Sequence, residues 1–276
     1  MKLLFLGDIV GRPGRDLVRR HVRAVAARYQ ASLVIANGEN AAGGAGITRD
    51  NMIEILSSGV NVITTGNHVW DKRETLEFIG NEPRLLRPAN YPEGTPGKGS
   101  YVATAANGIR VGVINVMGRV FMHAIDDPFR AAQLEIARVR ADGAQVIFVD
   151  MHAETTSEKM ALSYYLDGQV AAVIGTHTHV QTADERILPN GTACLTDVGM
   201  TGPHDGVIGM DKDAVIARFV SALPARFDAA GGDPRMNGVV IDVDPADGRA
   251  TAIARLSLSE DQLKEITDSV TAAAGR

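Results

Sequence analysis

The sequence predicts an α/β fold whose sheet is parallel where its polar-ended strands lie, and three observations carry this. Five short β-type apolar runs recur along the chain, at 3–6, 33–36, 60–63, 145–149 and 170–174. Helical segments separate most of them, as parallel neighbours require. Each run ends in polar side chains, and in open α/β sheets ligands bind outside the carboxyl ends of the strands.

The elements follow in order. A strand at 2–7 leads into a helix at 13–29, with Pro13 near its start, where a missing N–H costs little. A strand at 32–37, a helix at 48–58, a strand at 60–65 and a helix at 71–80 come next, with Thr48 and Asp71 as expected N-caps. Residues 88–100 are rich in proline and glycine and read as an irregular connection. Asn107-Gly108 then turns a hairpin between 100–105 and 109–116. Asp127-Pro128 opens a helix to about 141, a strand runs 145–150, and Thr155-x-x-Glu158 reads as a capping box for a helix to 167. Short strands at 186–188 and 193–198 precede a glycine-rich loop at 199–209, a helix near 212–222 and a hairpin of 238–243 with 249–257. Ser259-x-x-Gln262 caps a terminal helix.

The chain has 276 residues, 45% hydrophobic and 22% charged, ordinary proportions for a soluble globular protein. Its net charge of −5 argues against a nonspecific grip on nucleic-acid backbone. A small phosphorylated substrate stays open, because metal ions can supply local positive charge. Cys194, the one cysteine, excludes an intrachain disulfide. No signal-peptide pattern and no apolar run of bilayer length is present, so a cytoplasmic location is expected. There is no internal repeat or linker, and metal-type residues run from Asp8 to His179, so one domain over 1–276 is expected.

The strand ends carry the chemistry. Asp8, Glu39, Asn67, His152, His177 and His179 follow the five apolar runs, the last two after the same one, and together they point to a metal centre. His177 and His179 lie two apart on a segment expected to be extended, which sends both to one face. Imidazole with carboxylate favours manganese, iron or zinc over calcium. Asn67 is a weak ligand alone but serves where charged ligands already hold the ion, and the adjacent His68 is placed to protonate a leaving oxygen. A dinucleotide loop at 7–14 is excluded by glycine spacing and by Asp8, which would face the pyrophosphate. Arg12 and His204 are weaker candidates for substrate contact, while His21 and His123 are expected to be structural or solvated.

Gly7-Asp8, Gly38-Glu39-Asn40, Gly66-Asn67-His68, Met151-His152 and Gly175-Thr176-His177-Thr178-His179 resemble, in that order, the motif blocks of calcineurin-like metallophosphoesterases. The segments at 7–14, 38–44 and 196–203 resemble the bacterial YmdB-type branch more narrowly. The resemblance implies a four-layer α/β/β/α sandwich with two metal ions per chain, iron or manganese foremost and zinc or magnesium open. It implies that Glu39 bridges the ions, that Asp8, Asn40 and His179 complete one site, and that Asn67, His152 and His177 complete the other. It further implies hydrolysis of cyclic nucleotides, 2′,3′-cyclic nucleoside monophosphates foremost, by a metal-bridging hydroxide with His68 as general acid. Three departures from the wider superfamily stand out: Val10 replaces a histidine, Glu39 replaces the bridging aspartate, and Val69 replaces an acidic residue. The competing readings are another phosphomonoesterase, a nucleotidase or an RNase on the same metals, or a nucleotide-sensing regulator without turnover. The expected partner is a small cyclic nucleotide, with no stable nucleic-acid or membrane contact and a homo-oligomer left open.

Overall fold

The computed structural model describes residues 1–275. Its strands and helices run β1 Lys2–Leu6, β2 Asp8–Ile9, α1 Gly11–Tyr29, β3 Leu33–Asn37, α2 Arg49–Ser58, β4 Val62–Thr64 and α3 Thr75–Phe78. They continue with β5 Ser100–Thr104, β6 Arg110–Met117, α4 Pro128–Ala141, β7 Val146–His152, α5 Thr156–Tyr165 and β8 Ala172–Thr176. The remainder is β9 Arg186–Ile187, β10 Ala193–Leu195, β11 Met200–Asp205, α6 Lys212–Ser221, β12 Gly232–Asp244, β13 Arg249–Ser259 and α7 Glu260–Ala274.

The strands form two sheets. The first has the order β2-β11-β12-β1-β3-β4, with β13 paired to β12, and the second β5-β6-β7-β8-β10-β9. The runs of β1, β3 and β4 pair in parallel, as do β6, β7 and β8. Both sheets are nevertheless mixed, because β12 enters the first antiparallel to β1 and β5 edges the second antiparallel to β6.

Side-chain alternation builds the layers. Leu3 and Phe5 face the second sheet and pack with Val113, Phe148 and Ile174 in an inter-sheet core. Leu4 and Leu6 point the other way, into a core with Leu17, Val18 and Val22 of α1, Ile55 of α2 and Leu263 of α7. On the far side of the second sheet, Ile147 and Val149 pack under Ile136 of α4 and Leu162 of α5. Phe5 and Phe148 meet edge to face with centroids 4.9 Å apart, joining the sheets at their middle. The result is a four-layer α/β/β/α sandwich. No helix among the described residues is long and apolar enough to cross a membrane.

Several caps form as expected: Thr48 accepts from Asn51 N, Asp127 from Phe129 N and Arg130 N, and Ser259 with Gln262 makes a full capping box. Three local expectations are corrected. The helix expected at 71–80 is only the short α3 and a following 3-10 turn, and Asp71 does not cap it. Thr155 makes no side-chain cap, and the Glu158 carboxylate that would complete the box is bonded instead to the amides of Arg119 and Val120. Residues 200–205 are not loop but β11, which pairs with β2 and β12. Gly, Pro and Asp are poor strand formers, yet neighbours on both sides override that propensity.

Candidate metal centre

The carboxyl ends of β1, β3, β4, β7 and β8 come to one edge of the sandwich, and the sequence-named residues lie on the turns that leave them. Asp8 begins β2 directly after β1, fully buried, beside Met200 of β11. Glu39 and Asn40 follow β3, Asn67 and His68 follow β4, and His152 ends β7. His177 and His179 leave β8, but not in extended conformation: their φ angles are 105° and 65°. The two rings therefore reach the site through a left-handed turn, an uncommon backbone for such residues.

The protonation pattern shows what the cluster lacks. Thr176 Oγ1 donates its one proton to Asp150 Oδ1 at 2.7 Å, so at 2.9 Å it accepts from His152 Nδ1–H. In a neutral ring, His152 Nε2 is then a bare lone pair. It sits 3.0 Å from Glu39 Oε1, 2.9 Å from Asn67 Oδ1 and 3.1 Å from His177 Nδ1. The His177 ring gives its other nitrogen, Nε2, to Glu154 Oε2 at 3.0 Å, which leaves its Nδ1 bare as well. Four lone-pair atoms thus converge, and a cation is what reconciles them. Glu39, His152 and His177 each offer a ligand atom, all within 4.8 Å of one another, a group suited to a metal ion.

A second set lies beside the first. His179 Nδ1 donates to the Ile208 carbonyl at 2.8 Å, which turns a bare Nε2 to within 3.9 Å of Asp8 Oδ1. Asn40 gives its amide nitrogen to the Gly44 carbonyl at 2.9 Å. Asp8 Oδ1, Glu39 Oε1 and Asn40 Oδ1 are all buried with no hydrogen-bond donor; His152 approaches Glu39 Oε1 closely but not along a hydrogen-bonding direction. Orphaned buried oxygens of this kind call for an explanation, and a bound cation supplies one.

Without a metal, the carboxylates around the cluster draw a proton onto His152 in place of the cation. Burial pulls His152 down, but the Glu39 carboxylate, with Asp8 and Asp150 behind it, raises it to about 9. Burial alone would raise Glu39; His152 and His68 reverse that and bring it to about 2. Burial, with His152 adding to it, takes His177 to about 3, which keeps it in its neutral, ligating form. Asp8 is raised well above its ordinary range by burial and by Glu39 and Asp197, against the pull of His152.

His68 sits at the rim. Its amide donates to Glu39 Oε2 at 3.0 Å, and its Nδ1 meets Asp71 Oδ2 at 2.8 Å. Asp71 thus supplies, three residues on, the carboxylate absent at Val69. The ring lines a cavity of about 610 Å³ that Glu39, Asn40, His177 and His179 share, with Ile208, Met210 and Phe227 opposite. Arg12 stays outside, with a side chain 84% exposed and paired to Asp16. His204 is held by the Gly202 carbonyl and Asn237. His21 is buried against Thr267, as expected of a structural residue.

Residues 4–256 match the family described as YmdB-like protein. The chain belongs to that family. A relative from Bacillus subtilis strain 168, named 2′,3′-cyclic-nucleotide 2′-phosphodiesterase, is 52% identical over 95% of this chain and 99% of its own length. The crystal structure of a protein from Thermus thermophilus matches with a TM-score of 0.86 at 42% identity, covering 94% of this chain and all of that one. A phosphatase structure from Mycoplasma pneumoniae has a TM-score of 0.85 at 32% identity, covering 96% of each chain. A 5′-nucleotidase precursor from Thermus thermophilus, at 15% identity and TM-score 0.57, shares the fold; it covers 99% of this chain and 59% of its own.

Four residues of this YmdB-like site were given no role from the sequence. Asp150 is fully buried and accepts from Thr64, Thr176 and Asn37; burial raises it to about 6 despite those bonds and the neighbouring His152. It orients His152 through Thr176. Glu154 holds His177. Asp197 takes the Thr178 amide at 3.0 Å with Oδ2 and the Gly199 amide at 2.9 Å with Oδ1, while Lys159 Nζ meets Oδ2 at 2.8 Å. The Asp150-x-His152 spacing on one strand was a usable signal, and Asp197 lies in the 196–203 block; the contacts of Glu154 and Lys159 carry no local one.

Proposed function

We propose that this chain is a dinuclear-metal phosphodiesterase that opens 2′,3′-cyclic nucleoside monophosphates. The observation that carries the reading is the convergence of bare ligand atoms from Glu39, Asn67, His152 and His177, with orphaned oxygens of Asp8 and Asn40 alongside. Glu39 would bridge the ions; Asp8, Asn40 and His179 would hold one, and Asn67, His152 and His177 the other. Mixed imidazole and oxygen donors favour iron or manganese. When bound, such ions activate water and offset the charge of the phosphoryl group. Ligands from both sheets make one domain the natural unit.

The protein's own part is orientation and proton delivery. Asp71 fixes the His68 ring through Nδ1, which directs Nε2 to the cavity as the proton source for the departing ribose oxygen. The substrate assignment draws on the Bacillus subtilis relative, and a 2′-phosphodiesterase reaction would leave a 3′-monophosphate. The net charge of −5 fits a small substrate better than a long polyanion.

The test is hydrolysis of a panel of cyclic and linear nucleotides and a structured RNA at physiological salt, after reconstitution with Mn, Fe, Zn or Mg. Highest kcat/KM on 2′,3′-cyclic mononucleotides, with a 3′-monophosphate product, supports the proposal. A higher value on RNA makes the protein a nuclease, and no turnover with any metal makes it a binding protein.

A further inference from the structure

A second cavity opens on the other side of His177, and its walls are of two kinds. It has a volume of about 340 Å³ and is lined by Asn67 and His177 from the metal cluster and by Phe121, Met122 and His123 from the turn after β6. That volume is within the range of small-molecule sites.

The turn is firmly held at its base. Gly118 N donates to the His152 carbonyl at 2.9 Å. The buried Glu158 carboxylate takes the Arg119 amide at 3.0 and 3.2 Å and the Val120 amide at 3.3 Å. Arg119 is further tied to Asp127 at 3.2 Å. On this anchored base Phe121 stands 88% exposed, with a φ of 60°. A bulky aromatic in the left-handed region is uncommon, and such strain persists where the surroundings enforce it. No other ring and no cation covers Phe121 among the described residues, whereas Phe227, across the larger cavity, already has Arg218 over its face at 5.4 Å. A bare phenyl held beside two metal-site residues suits a flat aromatic group attached to the phosphate those residues serve.

We propose that Phe121 is the platform on which the nucleobase of the substrate stacks, with Met122 and His123 completing its pocket. This rests on the cyclic-nucleotide reading above and adds a base subsite to it. Every base has a π-face, so such a platform favours base-bearing substrates while discriminating weakly among the four bases.

The experiment compares 2′,3′-cyclic AMP with methyl β-D-ribofuranoside 2,3-cyclic phosphate, which carries the same reacting ring and no base. Phe121→Ala should lower the ratio of kcat/KM on the two substrates about tenfold, through KM on cyclic AMP, and Phe121→Trp should restore it. Phe227→Ala is the comparator. If it collapses the ratio while Phe121→Ala does not, the base lies in the larger cavity and the platform is refuted. An unchanged ratio in both variants refutes the platform alone. If the wild type cleaves neither substrate, the cyclic-nucleotide reading fails and the platform falls with it.

Discussion

Lys159 and Asp197 form an ion pair that is almost wholly withdrawn from water, and removing one partner should be far worse than removing both. Their side chains are each 2% exposed, with Nζ 2.8 Å from Oδ2. Lys159→Met keeps the length of the side chain on α5 but strands the carboxylate, a change that costs about 3–5 kcal/mol at a buried pair. Asp197→Asn strands the ammonium at similar cost. The double variant buries no net charge and should lie within about 2 kcal/mol of the wild type, because neutral replacement of a buried pair is often tolerated. At this chain length each kcal/mol moves the melting temperature by roughly 1.7 °C, so the single variants should melt about 5–9 °C lower.

The assay is thermal unfolding of all four proteins, metal-free, followed by manganese titration. An asparagine side chain has one acceptor oxygen, where the Asp197 carboxylate accepts from both the Thr178 and Gly199 amides. The turn between His177 and His179 therefore loses an anchor even in the double variant. Its metal affinity should stay about 10–100-fold below wild type after its stability has recovered. Single variants that melt like the wild type, or a double variant no better than the singles, would show that the pair does not couple. Full metal affinity in the double variant would show that Asp197 does not position the turn.

Four further outcomes are expected. Glu39→Gln should drop metal content below the two ions per chain expected of the wild type, as read by elemental analysis; a wild type saturating at one ion would refute the bridge. His152 sits at about 9, above its unfolded value near 6.5. Its share of metal-free stability is thus complete below pH 6.5 and lost as pH rises through 9, whereas a ligating metal displaces the proton. Metal binding at pH 7.5 should release about one proton, checked by calorimetry in buffers of different ionisation enthalpy. His68→Ala should keep the metals but lose about 10²–10⁴ in turnover of cyclic nucleotides, and much less on nitrophenyl esters, where the leaving group needs no proton; equal losses would exclude the acid role. Gly66→Ala should expel the His152 ring, since a Cβ there would lie 2.1 Å from its Cδ2; retained metal content would contradict this.

The parts of this molecule that were readable from sequence are those set by side-chain type over a few residues. Apolar runs gave β1, β3, β4, β7 and β8, and the polar residues after each run are the ones that meet at the site. Strand order was not readable, because β12 inserts next to β1 through pairings between the two ends of the chain, such as Lys2 with Asp242. Cap and contact also look alike locally. Asp71 and Glu158 stand where N-terminal helix acids belong, yet Asp71 orients His68 and Glu158 anchors a turn 38 residues away.

The His177–His179 turn shows how residues can be brought to one place by a geometry their spacing does not suggest. Alternation along a strand would have put both rings on one face, and the rings do reach one site, but by a different route. β8 stops at Thr176, and positive φ at both histidines folds the chain back across the strand ends. That backbone is unfavourable by itself, and each of its three residues is tied down from elsewhere: His177 N to Asp8 Oδ2 at 3.3 Å, Thr178 N to Asp197, and His179 Nδ1 to Ile208 O. Residue type marked the candidate ligands because coordination chemistry depends on the side chain. The conformation that aims them depends on acceptors from residue 8, 19 positions downstream and 29 positions downstream, which no local pattern encodes.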